Sequence, residues 1–176
     1  MATKKSIRIL FAILIIAAWL LGSITEAGAQ TYTMKCRETG HLPKVQFLEV
    51  GDVPGHLIGV AELAGVLSCD DGSVATTLNE SFWDYIKGSG KAQAYWVAKY
   101  EDGSTIWLKF QVITTAAADG KTAEWESTTS EFIRGTGRFK GIQGEISHIG
   151  KRLAPLPGAG SQYYIDHVFT YTLPSR

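Results

Sequence analysis

The residues able to do chemistry are few and scattered. Four histidines, His41, His56, His148 and His167, and two cysteines, Cys36 and Cys69, are spread along the 176-residue chain. Glu145 and His148 stand three apart, a spacing that puts two ligands on one face of a helix but on opposite faces of a strand. A zinc centre needs three or four converging ligands, and no segment supplies them, so no metal is expected. Asp166 and His167 are adjacent, with Ser147 or Ser161 as the serine from which a nucleophilic triad would be built. Adjacent strand residues face apart, however, and no Gly-x-Ser-x-Gly elbow occurs. Cys-x-x-Cys is absent too, which removes the usual dithiol redox motif. These patterns assign no catalytic residue and imply no cofactor.

Two segments stand out instead. The first is Gly135-Thr136-Gly137-Arg138-Phe139-Lys140-Gly141-Ile142-Gln143-Gly144-Glu145. It is neither a dinucleotide fingerprint nor a phosphate loop, because the glycine spacing and the Gly-Lys-Ser/Thr ending are missing. It reads as a tight strand–turn–strand, with Gly135 and Gly137 free to take positive φ, Phe139 able to plug one end of a barrel, and Gly141 and Gly144 allowing a sharp bend. The second is Tyr163 to Tyr171, whose alternate residues Tyr163, Ile165, His167, Phe169 and Tyr171 share one face. If that face lines a lumen, Tyr163 and His167 are the polar handles of an apolar pocket; otherwise His167 is a satisfied core histidine. Trp83, Trp96, Trp107 and Trp125 read as core or rim residues, and an aromatic interior also suits an apolar ligand. The candidate ligand-facing set is Tyr163, His167, Phe169, Tyr171, Trp125, Glu126 and Glu145, with Glu126, Glu145, Tyr163 and His167 as its polar members. Asn79-Glu80-Ser81 fits a glycosylation sequon.

The elements that must position these residues are strands. Turn signals recur at Asp52-Val53-Pro54-Gly55, Asp70-Asp71-Gly72, Lys87-Gly88-Ser89-Gly90, Glu101-Asp102-Gly103, Ala118-Asp119-Gly120 and Gly135-Thr136-Gly137. The segments between them are rich in Val, Ile, Thr and aromatics, and several alternate with period two, as in Ile106, Leu108, Phe110 and Val112 against Trp107, Lys109 and Gln111. The predicted strands are 31–37, 56–69, 73–86, 91–100, 104–115, 122–134, 138–149 and 161–173, with a short ninth at 44–50; residues 150–160 form the longest late loop. Long strands joined mainly by short hairpins make an all-β, closed, up-and-down antiparallel eight-stranded barrel the expected fold, since closure removes exposed edges. A β-sandwich is the alternative. Charges such as Lys109, Glu124, Glu126 and Glu145 on the strand faces argue against a membrane barrel.

The ends and the composition set the compartment. Lys4, Lys5 and Arg8 precede an apolar run from Ile9 to Leu21 and on to Ile24, and Ala27-Gly28-Ala29 supplies small residues for cleavage. This is the order of a secretory signal peptide, so residues 1–29 are predicted to be removed after Ala29, leaving one domain over 30–176 in a secreted or periplasmic setting. The run is shorter than the roughly 20 apolar residues of a spanning helix, and no stable membrane insertion is expected after cleavage. Loss of Lys4, Lys5, Arg8 and Glu26 leaves fourteen basic and sixteen acidic side chains, with no basic patch for nucleic acid. An exported chain with an even cysteine count permits a Cys36–Cys69 disulfide, worth about 3–4 kcal/mol for a loop of this length.

The glycine-rich segment resembles the hairpin of the allene oxide cyclase and dirigent barrel families, where a Gly-x-Gly-x-Phe-x-Gly-x-x-Gly pattern opens a late strand. In those families an aromatic final strand closes an eight-stranded, calycin-type barrel, and Tyr163–Tyr171 stands in the matching place here. The resemblance covers the chain from Gly135 to Tyr171 and the general hairpin rhythm. It implies the closed barrel, a homo-oligomer and, as one functional option, a cyclase or isomerase; no catalytic residue of the family carries over. Three readings follow. The first is a secreted or periplasmic barrel that binds a small hydrophobic molecule without chemistry. The second is a cyclase or isomerase that holds a reactive substrate in one geometry. The third is a packed structural or interaction module. A lumen void of roughly 300 Å³ or more with a buried carboxylate would favour the first two, and a lumen filled at core density the third.

Overall fold

The computed structural model describes residues 30–155 and 160–175. Eight strands follow one another: β1 (Thr31–Glu49), β2 (His56–Cys69), β3 (Val74–Ile86), β4 (Ser89–Tyr100), β5 (Thr105–Ala116), β6 (Ala123–Gly135), β7 (Gln143–Arg152) and β8 (Gln162–Thr172). Each is antiparallel to the next, and β8 pairs with β1 from Thr31↔Thr172 to His41↔Gln162 to close the barrel. The fold is the expected one, and no second sheet exists to make a sandwich among the described residues. Residues 1–29, on which the predicted signal peptide falls, lie outside them. Among the described residues no helix is long and apolar enough to cross a membrane.

Three boundaries differ from expectation. Strands 31–37 and 44–50 are one strand, β1, because Leu42 and Pro43 form a bulge between the pairs His41↔Ala64 and Lys44↔Glu62. A bulge is where a proline is tolerated inside a sheet, since no ladder N–H is required of it. The segment 138–142 is not strand: Gly137–Phe139 makes a 3₁₀ turn and β7 starts at Gln143. Gly137 has φ of +57°, which only glycine adopts freely, and its turn drops Phe139 onto Tyr100 and Tyr171 as a buried plug. The late loop is shorter than expected, because β7 runs on through Arg152.

The up-and-down order gives the barrel two unlike ends. One holds the β2–β3 and β4–β5 turns and the Phe139 plug. Its interior is packed by Met34, Leu67, Trp96, Tyr100, Ile106, Leu108 and Phe169, and Cys36 and Cys69, directly paired across β1 and β2, form the disulfide. At the other end small inward side chains, Ser81, Ala92, Ala94, Thr114 and Ala123, leave space between the larger aromatic ones.

The wall has one weak seam. β6 and β7 share a ladder only over Ala123–Glu126 and Ile149–Arg152. Beyond it the strands part around a groove lined by Ser127, Ser130, Glu145 and Ser147, bridged by the His148 amide donating to Ser127 Oγ at 3.0 Å. Amides that lack a cross-strand partner open at low free energy. Within Thr128–Ser130 and Glu145–Ser147, the amides that point into the groove rather than to β5 or β8 are therefore expected to exchange far faster than those of the β2–β3 ladder; uniform protection across all eight strands would contradict the seam.

Candidate functional site

The interior is organised around a carboxylate that the sequence reading passed over. Glu38 continues the inward phase of Met34 and Cys36 on β1 and is fully buried. Its Oε1 accepts from Thr77 Oγ1 and Tyr163 OH, each at 2.8 Å, and its Oε2 accepts from Trp96 Nε1 at 2.9 Å and His167 Nε2 at 3.2 Å. Burial alone pushes the carboxyl upward, but the His167 hydrogen bond and charge, with the Thr77 and Tyr163 hydroxyls, outweigh it and hold Glu38 below the ordinary carboxylate value. A carboxylate only accepts, so His167 Nε2 carries the hydrogen of that bond. Burial and the Glu38 charge raise the Tyr163 phenol, which stays protonated as a donor. The local backbone makes room for this: a Cβ on Gly40 would lie 2.6 Å from the Tyr163 hydroxyl and collide with the Ala64 carbonyl.

Beside this network sits His148 on β7, opposite His167 in the β7–β8 register, with ring centroids 5.5 Å apart. It is buried, meets the Phe110 ring edge-on at 4.5 Å, and neither ring nitrogen has a hydrogen-bond partner among the described residues. Burial, and then the charge of His167, push its pKa down to about 3, so it is neutral at ordinary pH. Among the described residues no group of three ligand-type side chains is placed to hold a metal.

At the small-residue end lies a cavity of about 370 Å³. Its wall is mainly apolar: Leu63, Ala92, Ala94, Phe110, Val112 and Ile165, with Trp83, Tyr85 and Trp125 as aromatic sides. The polar members are Asn79, Ser81 and Thr114. Ser81 Oγ donates to the Ala61 carbonyl, and Thr114 Oγ1 shares a hydrogen bond with Tyr85 OH at 2.9 Å. Asn79 is different, because it is 4% exposed and its Oδ1 has no partner among the described residues. On β3 it is the next inward residue after Thr77, so the cavity floor lies one layer above Glu38. Lys87, Gly88, Gly120 and Arg152 stand at the mouth.

The sequence-predicted residues divide. Tyr163 and His167 come together on Glu38. Phe169 and Tyr171, on the same inward face, belong to the packed end. Trp125 is the one member of the set that lines the cavity, 6.3 Å from the Tyr163 ring. Glu126 and Glu145 are exposed on the outer face, so neither reaches the lumen. Their strands alternate, and the phase that turns Trp125 and Ile146 inward turns both glutamates out. Asn79, read as a sequon, is buried inside the barrel, and the folded chain does not offer it for modification. Asn79, Glu38 and the mouth cations were missed; the only sequence signal for the first two is strand phase.

The class these features define is a closed eight-stranded β-barrel with a packed end, a central buried carboxylate network and one apolar cavity open at the other end. No family model and no curated protein matches the chain. Among solved structures it is similar to the pterocarpan synthase dirigent protein GePTS1, at a TM-score of 0.47 and 11% identity over 82% of this chain and 92% of that one. It is likewise similar to the pterocarpan synthase dirigent protein PsPTS1, at a TM-score of 0.42 and 11% identity over 83% and 97%.

Proposed function

We propose that this is an exported barrel that binds one small, largely apolar molecule in the open-end cavity. The observation that carries the reading is a cavity of about 370 Å³ with an apolar wall and a buried Asn79 whose carboxamide oxygen has no partner among the described residues. Small-molecule sites have this make-up: a concave apolar surface of at least roughly 300 Å³ with a few placed polar groups. A buried polar atom left without a partner costs about 1–3 kcal/mol, and a ligand hydroxyl or N–H donating to Asn79 Oδ1 would recover that. The disulfide, together with the basic–apolar–small N-terminus, supports export.

Binding is favoured over cyclase or isomerase chemistry driven by a carboxylate base by one further fact. The central carboxylate, Glu38, is saturated by four donors and does not line the cavity. A general base needs hydrogen-bond reach to its substrate.

Native mass spectrometry of the protein purified from an exporting host, with apolar small molecules added, tests the reading. A one-to-one complex is expected. The Ala94→Phe variant places a ring in the void, since Ala94 is buried and on the cavity wall. It is expected to weaken binding about tenfold or more with the fold retained. Affinity unchanged in that variant would move the ligand out of the cavity.

A further inference from the structure

The cavity's mouth and body carry a second message about what enters. Lys87 and Arg152 both line the cavity, and no Asp or Glu does among the described residues. Neither cation has a carboxylate within ion-pair distance among the described residues, so no acidic side chain neutralises the charge at this opening. The Lys87 backbone and the Arg152 guanidinium are held in place. Lys87 and Gly88 have φ of +51° and +80°, the pair required by a type I′ hairpin turn, and the Lys87 amide donates to the Gly55 carbonyl at 2.8 Å. The Arg152 guanidinium donates through Nη2 to the Gly120 carbonyl at 2.9 Å, fixing it against the β5–β6 turn with its other donors to spare. Below them the walls are aromatic: Trp83 stacks on Tyr85 with centroids 5.3 Å apart and 22° between planes, and Trp125 and Phe110 also face the void.

We infer that the ligand is a compact anion with a flat, apolar body. Its negative group sits between Lys87 and Arg152 at the mouth, its ring system lies among Trp83, Trp125 and Phe110, and a hydrogen-bonding group at the far end reaches Asn79. This inference rests on the cavity reading above and adds its charge and shape. An arginine and a lysine that line one opening with no acidic neighbour there attract a carboxylate or comparable oxyanion. Flat rings gain more than flexible chains from stacked aromatic walls, because they lose less rotamer entropy on binding.

Titration calorimetry on the protein from an exporting host, at pH 7 and low ionic strength, decides it with three probes: 2-naphthoate, its neutral methyl ester, and decanoate. The naphthoate is expected to bind about tenfold more tightly than the ester, the preference that two partly exposed charge-assisted contacts supply. Lys87→Gln with Arg152→Gln is expected to abolish the preference by weakening naphthoate about tenfold, to the level of the ester in the same variant, with circular dichroism and the urea midpoint certifying that the variant is folded. Equal binding of naphthoate and ester, both lost in Ala94→Phe, overturns the anion inference and leaves the cavity reading standing. Decanoate binding as tightly as naphthoate overturns the flat body. If neither naphthalene probe binds, or if Ala94→Phe leaves both unaffected, the cavity reading itself falls and this inference with it.

Discussion

Glu38→Ala is expected to lower the unfolding free energy at pH 7 by about 3–5 kcal/mol, read as a shift of the urea midpoint at constant slope. The carboxylate accepts from Thr77, Trp96, Tyr163 and His167, which reach it from β3, β4 and β8 while it stands on β1. Its removal leaves a buried indole N–H and a buried imidazole N–H without an acceptor and opens a void in the middle of the barrel. Glu38→Gln keeps the shape but turns an NH₂ toward groups that donate, so an intermediate loss of about 2–3 kcal/mol is expected. The pH dependence has a definite sign. Glu38 is held below its ordinary value in the folded chain. Its contribution is therefore present in full above the unfolded value of about 4.3 and is lost as pH falls through the lower native value. Wild-type stability in the alanine variant would show that the network does not hold the barrel together.

His148 governs a second, earlier acid limb. Its native pKa of about 3 lies far below the ordinary histidine value of 6.5, because burial, and then His167, oppose its charge. Between those two values the unfolded chain binds the proton that the folded chain refuses, so stability falls as pH falls. The slope is about 1.4 kcal/mol per pH unit, or roughly 2 kcal/mol lost between pH 6.5 and pH 5. His148→Phe retains a ring against Phe110 and removes both unpartnered nitrogens. It is expected to match or exceed wild-type stability at pH 7, and to flatten the curve between pH 6.5 and 5 while leaving the Glu38 limb below. Thermal unfolding of the two proteins across pH 4–8 measures this directly. An identical slope in the variant would assign the acid sensitivity to another group.

Much of the architecture was legible because a strand has only two faces. The phases of Ile106–Val112 and Tyr163–Tyr171 were readable from alternation alone, and the structure turns those faces inward. β3 shows where that logic inverts. Its inward row holds Ala75, Thr77, Asn79 and Ser81, and its outward row holds Leu78 and Phe82, which are exposed. Hydropathy by itself assigns those rows the wrong way round. Thr77 and Asn79 are inside because Glu38 and the cavity are there, a fact of distant strands. Glu38 was hidden for a related reason. A predicted strand that ends at residue 37 stops before it, whereas the real β1 passes on through Gly40 and Pro43 by way of a close glycine contact and a bulge.

By itself, then, the sequence determined the rhythm of the strands, their antiparallel order and the shared face of the last strand. Those are consequences of turn chemistry and period-two alternation, which act within a few residues. The tertiary structure alone decided that one end is packed and the other hollow, that a carboxylate sits at the centre, and that Lys87 and Arg152 share a doorway. Those depend on the summed volume and charge of side chains from all eight strands at one height of the barrel. Closure and register bring that set together, and no local pattern records it.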